Sequence, residues 1–262
     1  MKLKHLAGIV ALMGLTGLAQ AASFANGGFE SGNTSGWTTG GGSRTGSYNP
    51  GITPADFLPG GTLHADDGGR GAIIDKNYVD DNVGALIGST VLDGHYSYRA
   101  EDTTDGGFGT VISQQVKNYT DTDIYFGWKA VLENGGHAED ESAVMILTLT
   151  DNTTGKLVLS RTYNAGDSGG GVDSRFLTEG EFFYTPAWQL ERLSIDQSLS
   201  GHDFTLSLLA ADCQPAGHAG YAYIDGFGSY VPPVPEAETY AMMLAGLGMM
   251  GWIARRKKTA NA

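Results

Sequence analysis

The sequence predicts an all-β domain, a two-sheet antiparallel sandwich of jelly-roll type, and three observations lead there. Forty of the 262 residues are glycine. Apolar residues recur at every second position in short segments, as a strand with one packed and one wet face requires. Gly, Asp and Asn fill the intervals, where they supply positive φ and the local hydrogen bonds of tight turns.

In chain order the strand segments are residues 71–75, 95–100, 109–116, 123–132, 143–150, 156–163, 188–195, 204–209 and 220–225. Asp151-Asn-Thr-Thr-Gly155 reads as the hairpin turn between two of them. No ten-residue stretch between the chain ends carries a convincing helical period. Nine or ten strands in about 210 residues fill two packed sheets.

The chain ends carry sorting information. Lys2 and Lys4, the apolar residues 6–18 and Ala19-Gln20-Ala21 form a signal peptide over residues 1–21, with cleavage after Ala21 by the export translocase and signal peptidase system. The domain follows at 22–230, and residues 231–262 form a tail. Within it, Val234-Pro235-Glu236-Ala237 precedes the apolar stretch 240–254, which Arg255, Arg256, Lys257 and Lys258 close. As a helix that stretch is about 22 Å long against the ~30 Å hydrocarbon core, so it spans with Arg and Lys snorkelling and Tyr240 and Trp252 at the interfaces. The basic cluster places the C-terminus in the cytoplasm and the body outside.

Charge and cysteine content narrow the function. Residues 22–235 hold ten Lys and Arg against 27 Asp and Glu, a net charge of −17. That field repels nucleic acid and favours cations, so nucleic-acid binding is excluded. The single cysteine, Cys213, forms no intramolecular disulfide and reads as a buried, inert thiol.

The order Pro-Glu, short apolar span and basic cluster resembles the PEP-CTERM signal of exported bacterial proteins. That resemblance implies recognition and cutting by an exosortase, with transient residence in the inner membrane before release to the cell surface or the extracellular matrix. The motif departs from the family at Ala237, where the family has proline, while Pro235 and Glu236 are kept.

The body carries a second resemblance. Asn26-Gly-Gly-Phe-Glu30 with Gly36-Trp37, Gly94-His-Tyr-Ser-Tyr-Arg99 and Tyr221-Ala-Tyr-Ile-Asp225 are similar to the opening, an inner and the closing strand of jelly-roll carbohydrate-binding modules of the galactose-binding-like superfamily. The resemblance implies that the first and last strands lie side by side and share a structural calcium, with Glu30 and Asp225 as ligands. The alternative is that the two carboxylates hydrogen-bond the strand ends.

Two Gly-His segments, ending at His137 and His218, put imidazoles in glycine-rich loops. With Glu139, Asp140 and Glu141 they make a metal or acid/base site if the loops converge, and are structural hydrogen-bonders if they do not. Gly166-Asp-Ser168-Gly-Gly170 copies the nucleophile sequence of trypsin-like proteases, but lacks the histidine context and cysteines of that family and reads as a turn. Trp37, Tyr48, Trp128 and Trp188 are candidate sugar-stacking rings, or core. The sequence therefore reads as a non-catalytic exported surface or matrix protein that binds polysaccharide. The alternatives are a secreted hydrolase of envelope or matrix carbohydrate, whose two carboxyls would share a cleft, and a purely structural adhesin.

Overall fold

The computed structural model describes residues 24–166 and 171–228. The signal peptide with Ala19 and Ala21, the sorting tail with its motif, apolar span and basic cluster, and Ser168 lie outside the described residues. Among the described residues no helix is long and apolar enough to cross a membrane.

Among the described residues twelve strands form: β1 (Thr38–Ser43), β2 (Ala72–Asp75), β3 (Tyr96–Ala100), β4 (Phe108–Tyr119), β5 (Asp123–Glu133), β6 (Val144–Asp151), β7 (Lys156–Asn164), β8 (Leu177–Glu179), β9 (Phe182–Tyr184), β10 (Gln189–Ser194), β11 (His202–Ala211) and β12 (Gly220–Asp225). All nine expected segments are strands, and turn 152–155 joins β6 to β7. Every pairing is antiparallel. One sheet runs β1-β4-β11-β6-β7; the other runs β2-β3-β12-β5, with β9 and β10 sharing the far edge of β5 and β8 outside β9.

β5 shows how sequence becomes layers. Its even positions, Ile124, Phe126, Trp128, Ala130 and Leu132, enter the core between the sheets with Ile112, Leu147, Leu208 and Ile224. Among its odd positions, Val131 joins a second apolar cluster with Ile74, Ile87, Tyr184, Tyr221 and Tyr223, under the 76–92 connection. A fully buried side chain of this size contributes roughly 1.5–3 kcal/mol. The Trp128 indole N–H donates to Glu191 at 3.1 Å, and Arg161 forks onto the same carboxylate at 2.7 Å through both Nε and Nη2. This ion pair joins β7 to β10 across the side of the sandwich.

Three strands escaped the sequence pattern. β1 reads Thr-Thr-Gly-Gly-Gly-Ser and has no alternation, because a Cβ at Gly40, Gly41 or Gly42 would strike backbone of Phe57, Gly68 or Leu63. Glycine is there to let the 57–68 segment lie against the strand. β8 and β9 span only three residues each, too short for a period to register.

The expected pairing of the first and last strands is corrected. β1 pairs with β4 in one sheet, whereas β12 lies between β3 and β5 in the other. Residues 24–30 do run beside the end of β12, but not as a strand, since Asn26 and Phe29 sit at φ 53° and 58°. Phe227 N–H donates to the Gly27 carbonyl at 3.0 Å, and the Phe24 and Phe227 rings pack with centroids 3.8 Å apart.

Candidate metal centre and adjoining groove

Two loops meet at one end of the sandwich. β5 ends at Glu133, and residues 134–143 lead to β6; β11 ends at Ala211, and residues 212–219 return to β12. Glu133 N–H donates to the Ala219 carbonyl at 2.9 Å, and Ala219 N–H to the Glu133 carboxylate at 2.8 Å. Gln214 N–H donates to the Glu141 carbonyl at 2.6 Å. Arg44, fully buried, braces both loops by donating Nη1 to the carbonyls of Ser142 (3.2 Å) and Asp212 (2.8 Å). Burial pulls its guanidinium down to about 10, still charged at neutral pH.

This frame brings His137 and His218 together. His137 Nε2 lies 3.1 Å from His218 Nδ1, and Cys213 Sγ lies 3.4 Å from the same nitrogen. The three ligand atoms all fall within 4.8 Å of one another. Cys213 is fully buried, as the sequence suggests, and burial pushes its thiol up; the two imidazoles are half-exposed. A Cβ on Gly135 would fall inside the His218 ring, so glycine there is what lets the imidazole lie against the loop. Two imidazoles and a thiol are nitrogen and sulfur donors suited to a transition metal.

The acids expected to join the histidines do not. Glu139 and Asp140 line a separate cavity of about 350 Å³ with Asn49, Thr162 and Asn164, and Glu141 serves through its backbone carbonyl. Cys213 takes their place. Read alone it resembles core, and its signal is the Cys-x4-His spacing, which turn 213–218 closes through a Cys213 N–H to His218 carbonyl bond of 3.0 Å.

A groove of about 290 Å³ adjoins the same loop, lined by Asn134, Gly136, Thr178, Gly180, Glu181 and Phe183. Asn134 N–H donates to the Glu181 carbonyl at 2.7 Å, and Gly136 N–H to Asn134 Oδ1 at 3.0 Å, which fixes the amide. The groove thus offers an amide, a hydroxyl, a carboxylate and a half-buried phenyl ring. Of the candidate stacking rings, Trp37 and Trp128 belong to the core, Trp188 is half-buried with its indole N–H on the Ser89 carbonyl, and Tyr48 is exposed.

Glu30 and Asp225 both hold the loop before β3. Glu30 accepts from the amides of His95 (2.9 Å) and Tyr96 (3.1 Å), and Asp225 from those of Leu92 (2.8 Å), Asp93 (3.2 Å) and Gly226 (2.6 Å). What converges on these oxygens is N–H groups, whereas calcium takes six to eight oxygen ligands. The donor set fits an amide clasp and not a calcium site. Burial raises Asp225 to about 7.

Two further carboxyls are strongly displaced, Glu101 to about 7 and Asp212 to about 8, burial being the largest cause in each and their like charge adding to the rise in Asp212. Both are fully buried. They are not placed as a glycosidase pair, which must reach a bound sugar from either side.

Residues 233–258 match the PEP-CTERM protein-sorting motif. The motif implies an exported chain processed by an exosortase. No curated protein matches the sequence. Among solved structures, the chain is similar to TmCBM61 in complex with beta-1,4-galactotriose, at 13% identity over 79% of this chain and 97% of that one, with a TM-score of 0.42. It is similar also to CBM28, a carbohydrate-binding module specific for non-crystalline cellulose (10% identity, 79% and 95% covered, TM-score 0.38). A third likeness is to the K1 cleaved adhesin domain of Lys-gingipain from Porphyromonas gingivalis W83 (10% identity, 76% and 92% covered, TM-score 0.35). At these identities and TM-scores the likeness carries no functional conclusion.

Proposed function

We propose that the chain is exported behind its 1–21 signal peptide, released from the membrane at its tail, and acts outside the cell as a non-catalytic polysaccharide-binding surface or matrix protein. The groove beside β8 and β9 is the observation that supports this reading. A sugar ring presents an apolar face and a rim of hydroxyls, and Phe183 together with Asn134, Thr178 and Glu181 offers the complement of both. The net charge of −17 over residues 22–235 selects against acidic polysaccharides and favours neutral or amino-sugar chains. The groove is shallow and holds one carboxylate among its lining residues, which suits retention of a chain better than its hydrolysis.

A glycan array on the purified protein tests the proposal. Neutral or amino-sugar chains are expected to bind, and Phe183→Ala and Asn134→Ala each to weaken binding at least tenfold while leaving the far-ultraviolet circular dichroism unchanged. Retention of no glycan, or equal retention by both variants, overturns it.

A further inference from the structure

We propose that His137 Nε2, His218 Nδ1 and Cys213 Sγ form a mononuclear transition-metal site, and that the ion it takes is Zn²⁺. The argument begins with the spacing. Zinc bonds of about 2.0–2.1 Å to imidazole and 2.3 Å to thiolate, at tetrahedral angles, separate two ligand nitrogens by about 3.3 Å and a nitrogen from a sulfur by about 3.6 Å. The structure holds the corresponding atoms at 3.1 and 3.4 Å, and the remaining pair within 4.8 Å. Two of the three edges thus match a tetrahedral site to within about 0.2 Å, and the third, bounded at 4.8 Å, closes toward about 3.6 Å as the ion enters.

Proton counting points the same way. Without an ion, His218 Nδ1 faces both the thiol and the other imidazole, and in either tautomer, with one lone pair or one N–H, it makes a good hydrogen bond with only one of them. A cation replaces that conflict with three donor bonds. The frame around the trio needs no rearrangement: the loops are fixed by Arg44, by the Glu133–Ala219 pair of hydrogen bonds, and by the bare face of Gly135.

The choice of metal follows from the donors. Two imidazoles and one thiolate suit both zinc and copper, but a blue-copper site adds a long axial ligand, commonly methionine. The one methionine among the described residues, Met145, is enclosed in the core between the sheets. Zinc accepts water in its fourth position, and the half-exposed imidazoles leave a way in for both ion and water.

The test uses full-length protein without a histidine tag and stripped of metal. Calorimetric titration is expected to show one equivalent of Zn²⁺ bound. Titration with Co²⁺ is expected to give the near-ultraviolet thiolate charge-transfer band and the intense visible bands of a tetrahedral ion. Cys213→Ser should abolish the charge-transfer band, and His137→Ala, a change in a half-exposed loop, should weaken Zn²⁺ binding at least tenfold. Should the cysteine variant fail to fold by circular dichroism, His137→Ala and His218→Ala carry the test. Equal Zn²⁺ affinity in wild type and His137→Ala overturns the site; so does a Co²⁺ spectrum with no thiolate band. Tight binding of Cu²⁺ with none of Zn²⁺ overturns the choice of ion. Failure of the glycan array leaves this result untouched, since the two experiments read different residues.

Discussion

The connection before β3 and the loop pair that meets at His137 are both fixed by buried charge, yet they end in opposite states. Over residues 76–96 the charged anchors are matched, the buried Thr90 hydroxyl alone finding no partner. Asp80 accepts from the amides of Asn82 and Val83 at 3.0 and 2.9 Å and from the hydroxyls of Tyr221 and Tyr223 at 2.8 and 2.7 Å. Lys129 donates to the carbonyls of Ile87 and Pro186, while Glu30 and Asp225 take the amides between residues 92 and 96. At the other end Arg44 holds the frame, but the thiol and the His137 imidazole both face His218 Nδ1, which can pair with only one of them. A saturated arrangement locks a loop onto a sheet; an unsaturated one of the same rigidity is a place for something to bind.

The largest effect should come from breaking the saturated side. Asp80→Ala strands two buried tyrosine hydroxyls and two amides, each worth about 1–3 kcal/mol when left unpaired, so a loss of roughly 3 kcal/mol or more is expected. His137→Ala, in a half-exposed loop, should cost less than about 1 kcal/mol. Urea denaturation of the two variants reads the difference directly. If the histidine variant lost as much as the aspartate variant, the contrast between the two loops would collapse.

How much of this was legible in the sequence follows from the same contrast. Strand alternation is a local signal, and it found β2 to β7 and β10 to β12. It failed at β1, where Gly40, Gly41 and Gly42 answer to the 57–68 segment passing over them. The convergence of His137 and His218 could be named as a condition but not read, because the two residues are 81 positions apart and their meeting depends on β5 pairing with β12. Cys213 was read as core for a sound local reason, since it is fully buried. That its sulfur also faces His218 is a matter of turn 213–218, where Ala216 and Gly217 take φ of 67° and 117°. Asp80 was one acid among many until the tyrosines of β12 were seen to reach it.

A smaller effect should appear on titration. Burial raises Glu101 and Asp225 to about 7, while an unfolded carboxyl titrates near 4. Between those values the folded protein keeps protons that the unfolded chain releases. Their contribution is therefore most favourable near pH 4 and declines as pH rises to about 7, by up to about 1.4 kcal/mol per pH unit for each full proton of difference. Carboxyls held low, such as Asp56 and Asp81, lose their contribution only below that window, and Lys129, pulled down to about 8 by burial, acts above it. The urea midpoint should be higher at pH 5 than at pH 7.5, and Glu101→Gln should reduce the slope. A midpoint that rises with pH across this range would contradict the assignment of these acids as buried and protonated.

The smallest expected effect is none, and it divides the two regions most sharply. Glu30 and Asp225 are the carboxylates a calcium ion would take if the resemblance to carbohydrate-binding modules extended to its metal. Here each spends its lone pairs on amide N–H groups, whose dipoles point their positive ends at the place where a cation would sit. An ion that binds only the folded state must raise the melting temperature by mass action. Millimolar Ca²⁺ added to metal-free protein should therefore leave the melting temperature unmoved, whereas Zn²⁺ should raise it in wild type and not in His137→Ala. A calcium-dependent rise that Glu30→Ala with Asp225→Ala removes would reverse the comparison: the clasp would be the metal site, and its amide hydrogen bonds would be what the loop makes when the ion is gone.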